Sequence, residues 1–179
     1  MNIKSLTIYC SSSNNLDPIY YEISKQMIHV IAKFDYSIVY GGGQVGIMGV
    51  VAKTSMELGL HVTGVVPEFL ATKENMFKEI NILKITKDMN QRKKILFEKG
   101  DAYLILPGGS GTIEEATEII SWKILGIHKK PIIIFNFENY WNAMIEMYNN
   151  AKKSKFGDKN LQSVCITVKT FDEFSLLFK

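Results

Sequence analysis

The sequence predicts an α/β protein in which a parallel sheet is covered by helices on both faces, in one domain over residues 1–179. Three observations predict it. Short apolar runs at residues 37–40, 102–106 and 131–135 read as buried strands, and helical patterns separate such runs at regular spacing. A chain of 179 residues with 46% hydrophobic and 22% charged residues can build a real core. No linker and no repeat divides it.

Residues 6–10 form a first strand, and Ser11-Ser12-Ser13-Asn14-Asn15 a polar turn after it. Asp17 and Pro18 supply an N-cap and a first helical residue, and Ile23, Met27, Ile28 and Ile31 follow at helical spacing. A second strand, residues 37–40, runs into Gly41-Gly42-Gly43-Gln44-Val45-Gly46-Ile47-Met48-Gly49. The helix behind it reaches Leu58 and ends at Gly59 in the C′ position. Residues 60–66 make a third strand closed by Pro67, and residues 68–79 are irregular, a loop over a site. Residues 80–85 give a fourth strand. Asp88 caps the next helix, which runs to Lys99 and stops at Gly100. On it Met89, Arg92, Lys93 and Leu96 share one stripe at i, i+3, i+4 and i+7. Either the two cations snorkel with their heads in water, or they point into a cleft and meet an anion. After residues 131–135 come a helix over 139–150 carrying Tyr140, Trp141, Met144, Ile145 and Tyr148, a strand over 164–168 and a closing helix over 172–178.

The segment Leu104-Ile105-Leu106-Pro107-Gly108-Gly109-Ser110-Gly111-Thr112-Ile113-Glu114-Glu115 reads as strand, glycine turn and helix start. Pro107 has no N–H to continue a ladder, and the glycines let a ligand approach the backbone. Thr112 is expected as N-cap, with Glu115 three residues on completing a capping box. A helix N-terminus behind bare glycine amides suits an anion, and phosphate is the usual one. The two glutamates would repel a phosphate laid against them, so they point to chemistry beside it, with Glu114 read as a solvated neighbour. Sheets of this class bind ligands at the carboxyl ends of strands, where the loops after Cys10, Tyr40 and Leu106 all fall.

Several classes are excluded or disfavoured. A net charge of +3 with scattered lysines offers no basic groove with stacking aromatics for nucleic acid. Cys10 and Cys165 sit in apolar runs and read as buried, reduced side chains suited to a cytoplasmic protein. No run approaches a membrane span, and no signal-peptide pattern opens the chain. The three His and two Cys lack metal-ligand spacing, so no metal is expected. Gly41, Gly43 and Gly46 match G-x-G-x-x-G, but after the second strand, and no acidic residue closes the third strand to hold a ribose. An NAD site is disfavoured on that ground. No G-x-x-x-x-G-K-[ST] supports a P-loop.

Taken in order, the 41–49 glycine segment, Met89-Asn90-Gln91-Arg92-Lys93, the 107–115 segment, Ser121-Trp122 and Leu125-Gly126 resemble the Lonely Guy (LOG) family, long labelled lysine decarboxylases. The likeness covers residues 6–178. It implies a Rossmann-like, doubly wound homodimer that hydrolyses the N-glycosidic bond of cytokinin riboside 5′-monophosphates to free base and ribose 5-phosphate, without a cofactor. The older label would demand a lysine-anchored pyridoxal phosphate, which nothing here suggests. By position, the resemblance makes Glu115 and Arg92 catalytic. It assigns substrate contacts to Glu74, Lys93 and Ser121, while the helix N-terminus behind the glycines gives the 5′-phosphate to Gly108, Gly109, Ser110, Gly111 and Thr112. Ser11, Ser12, Gly41, Gly42, Gly43, Gly46 and Met48 complete the set, and the site is shared across the dimer. This chain has Asn90 where the family often has His, Ser11 for Gly, Thr72-Lys73-Glu74 for Pro-Arg-Glu and Ser121 for Thr.

The chemistry agrees with that assignment. Breaking a C1′–N bond builds positive charge on the sugar, so a carboxylate near C1′ stabilises the transition state and can orient the attacking water. A guanidinium can fix the nucleotide by a bidentate contact. Two alternatives stay open: a broader purine or pyrimidine 5′-monophosphate nucleosidase, and a non-catalytic nucleotide or molybdenum-cofactor carrier.

Overall fold

The computed structural model describes residues 3–71, 76–157 and 159–178. In chain order its elements are β1 (Ser5–Tyr9), α1 (Pro18–Ala32), β2 (Ser37–Tyr40), α2 (Gly46–Glu57), β3 (Val62–Pro67), α3 (Glu68–Ala71) and β4 (Ile82–Thr86). Then follow α4 (Met89–Lys99), β5 (Ala102–Ile105), α5 (Ser110–Ile124), β6 (Ile132–Phe135), α6 (Asn142–Lys153), β7 (Ile166–Val168) and α7 (Phe171–Leu176). The strands form one sheet in the order β4-β3-β2-β1-β5-β6-β7, and every pairing is parallel. The chain therefore lays its first four strands outward on one side, then crosses back to put β5 on the other side of β1. That reversal leaves a crevice at the carboxyl ends of β1 and β5, because the connections leaving them diverge to opposite faces. The pairing of Tyr9 with Ile105 fixes which loops meet there, and the Leu106 N–H closes the ladder on the Tyr9 carbonyl at 3.0 Å.

The alternation of side chains along each strand builds two cores. Leu6, Ile8, Leu104 and Leu106 face α1, α2 and α7, where Ile23, Met27, Val51 and Phe174 close over them. Tyr9, Tyr103 and Ile105 face the other way, against Leu96 of α4, Ile119 of α5 and Ile145 of α6.

Most helix ends follow their sequence cues. Asp17 accepts the Ile19 N–H at 3.0 Å and Asp88 the Gln91 N–H at 2.8 Å, so both act as the expected N-caps. Gly59, past the end of α2, holds φ 76° in the left-handed region, as the expected C′ residue does.

Three expectations need correction. Thr112 is not an N-cap: α5 begins at Ser110 with Gly109 in the cap position, and no side chain caps it. The turn is tighter than a capping box allows, because a Cβ on Gly108 would stand 2.1 Å from the Thr112 hydroxyl oxygen. The glycine lets Thr112 tuck in as a first-turn residue. The helix expected over 139–150 begins at Asn142. Residues 137–139 form a separate 3-10 turn in which Glu138 and Asn139 take φ of 47° and 63°, values an α-helix cannot contain. The segment expected to be wholly irregular opens with the short helix α3, while Thr72, Lys73 and Glu74 lie outside the described residues. Among the described residues no helix is long and apolar enough to cross a membrane.

Candidate active site

The crevice at the β1–β5 reversal holds a cavity of about 370 Å³. Ser11, Ser12 and Ser13 after β1, Gly41 of the β2–α2 turn, Met48 in the first turn of α2, Arg92 of α4, and Gly109, Ser110, Gly111, Thr112 and Glu115 at the start of α5 all line it.

The two glycine turns behave differently. At α2 the first amides are taken: Gly46 N–H donates to the Asn14 side-chain oxygen at 3.0 Å and Met48 N–H to the Ser11 carbonyl at 3.1 Å. Gly46 itself holds φ 62°, and a Cβ there would sit 2.6 Å from the Ser13 carbonyl oxygen. This turn is a packing joint that seats the β1 loop on α2, which accounts for its glycines without a dinucleotide. At α5 no side chain caps the helix, and its first residues line the cavity. That end offers unclaimed N–H groups and the positive end of the helix dipole.

Beside it lies a buried ion pair. Arg92 and Glu115 are 6% and 5% exposed, and Nη1 of Arg92 donates directly to Oε1 of Glu115. Arg92 Nε also donates to the Val65 carbonyl at 3.0 Å, so two points fix the guanidinium plane. Gly41 makes room, since a Cβ there would meet Arg92 Nη2 at 2.5 Å. Burial pushes the Glu115 carboxyl above the ordinary glutamate value, and the Arg92 charge and hydrogen bond offset only part of that rise. Of the two roles left open for the cationic stripe, Arg92 takes the cleft. Lys93 turns to the neighbouring helix, with Nζ at 2.5 Å from Glu114 and 3.0 Å from Glu118. Glu114, expected as a solvated neighbour, is half-exposed and is also one of the two carboxylates in that clamp.

The structure thus gathers Ser11, Ser12, Gly41, Met48, Arg92, Gly109, Ser110, Gly111, Thr112 and Glu115 around one cavity. Others stand elsewhere. Lys93 bridges α4 to α5. Gly42, at φ 81°, packs against β3, where a Cβ would meet Val66 at 2.2 Å. Gly43 lies behind the Met48 side chain, and Gly108 is enclosed by Thr112. Ser121 is on the exposed side of α5. Six residues past Glu115 carries it about 120° round the helix. Glu74 falls outside the described residues. Cys10, Ser13, Val66, Leu70, Met89 and Glu114 also line the cavity without having been singled out as site residues. Met89 shares the Arg92 stripe and was legible there; Leu70 and Val66 carry no local cue. Among the described residues no group of three His, Cys, Asp or Glu stands where it could hold a metal.

Fold and cleft together define a Rossmann-like α/β protein with an open helix N-terminus and a buried carboxylate–guanidinium pair at its crevice. A solved molybdenum cofactor binding protein from Rippkaea orientalis has the same fold, with a TM-score of 0.70 at 16% identity over 99% of this chain and 96% of that one. The family model described as "Possible lysine decarboxylase" matches residues 48–175. A cytokinin riboside 5′-monophosphate phosphoribohydrolase of Arabidopsis thaliana is 37% identical over 153 residues, 86% of this chain and 70% of the relative. A probable one of Oryza sativa subsp. japonica is 32% identical over 170 residues, 95% and 81% of the two chains. The chain belongs to this phosphoribohydrolase family, the LOG family.

Proposed function

We propose that this protein hydrolyses the N-glycosidic bond of cytokinin riboside 5′-monophosphates, releasing the free base and ribose 5-phosphate. The observation that carries the reading is the placement of the buried Arg92–Glu115 pair beside the uncapped start of α5. The amides of Ser110, Gly111 and Thr112, with that of Gly109, take the 5′-phosphate at the positive end of the helix. This seats the ribose over the second turn, where Glu115 stands. As the C1′–N bond lengthens, positive charge gathers on the sugar and the Glu115 carboxylate stabilises it. Glu115 orients a water and takes one of its protons while the oxygen bonds to C1′. The bond electrons leave with the base, whose nitrogen takes up a proton from solvent, and Glu115 returns the proton it took to solvent. Arg92 holds Glu115 in place and favours its ionised form against the burial that disfavours it.

The homologous enzymes' names supply the substrate, and no cofactor enters the scheme. We take the working unit to be a cytoplasmic homodimer. The outward side of α5 and the residues after it supply an apolar surface for the second copy, with Leu125 71% and Ile127 60% exposed. Incubation with N6-isopentenyladenosine 5′-monophosphate and with AMP, followed by chromatography of the products, tests the reading. Release of isopentenyladenine is expected, faster than adenine from AMP. Equal rates favour the broader nucleosidase, and tight binding without ribose 5-phosphate release favours a carrier.

A further inference from the structure

Tyr140 lies outside the cleft lining, yet its hydroxyl donates to the Gly108 carbonyl at 2.8 Å. The backbone just before it is unusual. Glu138 and Asn139 both hold left-handed conformations that side-chain-bearing residues rarely keep unless the surroundings fix them. Asn136, 1% exposed, does the fixing: its oxygen accepts the Trp141 N–H at 2.7 Å and its nitrogen donates to Asn142 at 2.9 Å. The ring of Tyr140 then meets Tyr20 edge-on at 5.8 Å and Trp141 at 4.9 Å. A side chain 41% exposed is held firmly in one direction.

The carbonyl it holds belongs to the peptide joining Gly108 to Gly109. Two consecutive glycines leave that peptide free to flip, and a flip would aim a carbonyl oxygen at any anion on α5. In a trans peptide the C=O and the next N–H point in opposite directions, and no described peptide is cis. Tyr140 lines a second cavity of about 180 Å³ with Leu16 and Tyr20, and Gly109 lines both that cavity and the cleft. A carbonyl drawn toward the smaller cavity turns the Gly109 N–H toward the cleft. We propose that Tyr140 is a positioning residue that locks the Gly108–Gly109 peptide so that the Gly109 amide donates to the substrate phosphate. The inference rests on the phosphate sitting at the start of α5, as in the proposed function. Burial pushes the Tyr140 hydroxyl above the ordinary tyrosine value, so it remains a proton donor across the neutral range.

The test is the binding of ribose 5-phosphate by calorimetry, with steady-state kinetics on the 5′-monophosphate. Tyr140→Phe keeps the ring and its edge contacts and removes only the donor. Affinity for ribose 5-phosphate should fall about five- to tenfold, and KM should rise by a similar factor with a smaller change in kcat. A merely structural role would lower the melting temperature and kcat without that split. Glycine carrying both ¹³C′ and ¹⁵N reports three Gly-Gly amides, those of Gly42, Gly43 and Gly109. In the wild-type protein one of them should shift on adding ribose 5-phosphate and should be lost from the set in Gly109→Ala. No shift in any of the three, or unchanged affinity in Tyr140→Phe, overturns the inference and leaves the proposed function standing. A wild-type protein with no affinity for ribose 5-phosphate overturns both.

Discussion

Replacing Glu115 by Gln separates the two things its carboxylate does. The side chain is 5% exposed and its partner Arg92 6%, so the substitution leaves a guanidinium buried without its counter-charge. Removing one member of such a pair costs about 3–5 kcal/mol. The amide oxygen can still accept from Nη1, and Arg92 Nε keeps the Val65 carbonyl, which returns roughly 1 kcal/mol. The expected loss is therefore about 2–4 kcal/mol, or roughly 4–16 °C in melting temperature for a chain of this size. Set against a total of about 5–15 kcal/mol, the fold survives at moderate temperature. Turnover should fall much further, by about 10²–10⁴, because a neutral amide neither stabilises an oxocarbenium-like sugar nor takes a proton. Urea unfolding and chromatographic product release, both at a temperature where the variant is folded, read the two effects. The double variant Arg92→Met/Glu115→Leu should be about 2 kcal/mol more stable than Glu115→Leu alone, since it leaves no orphan charge. Turnover by Glu115→Gln within tenfold of wild type would remove Glu115 from the reaction centre.

Three further outcomes follow from the same geometry. Because burial raises the Glu115 carboxyl, kcat/KM should drop on the acid side at a pH above the ordinary value of about 4.3. Between that value and the raised one the native protein binds the extra proton, so stability should decline as pH rises through the window in which activity appears. A pH–rate profile whose acid limb lies at or below about 4.3 contradicts this. Lys93→Met removes the clamp to Glu114 and Glu118, and with Glu114 51% exposed the loss should be only about 1 kcal/mol in denaturant melts. A tenfold rise in KM would instead put its ammonium on the nucleotide. Gly46→Ala forces a left-handed alanine against the Ser13 carbonyl and should cost about 3 kcal/mol by strain and overpacking. A variant as stable as wild type would show the β1 loop free to move away.

The strands and the starts of α1 and α4 were legible because their cues are local. Apolar runs gave the strands, Asp17 and Asp88 capped as their type suggests, and the gathering of the loops after Cys10, Tyr40 and Leu106 at one end of the sheet followed from strand–helix alternation. The capping box was misread because Thr112 and Glu115 have the right spacing, while the deciding fact was how closely Gly108 lets the turn fold onto Thr112. The same limit hid the split of the cationic stripe. Arg92 and Lys93 are adjacent and chemically alike, and only the position of α5 decides that one meets Glu115 and the other Glu114. Likewise both glycine turns look open in sequence. It takes Asn14 and the Ser11 carbonyl, brought in from another loop, to fill one of them.

The buried pair also bears on whether the cleft stores a nucleotide or cuts it. A protein that only carries an anion is served by amides and cations, and a carboxylate near the anion weakens binding. Here Glu115 lies one turn beyond the open amides, buried at a desolvation cost that raises its carboxyl. In the proposed reaction Arg92 would offset much of its repulsion toward a bound phosphate in the ground state. Once positive charge formed at the sugar carbon, the same carboxylate would gain an attraction it lacked before. An interaction that grows only as the bond breaks lowers the barrier without tightening substrate binding, which is what catalysis requires and carriage does not. The clamp of Lys93 on Glu114 and Glu118 holds α5 to α4 one residue away from that pair, so the carboxylate would not have to find its position during the proposed reaction.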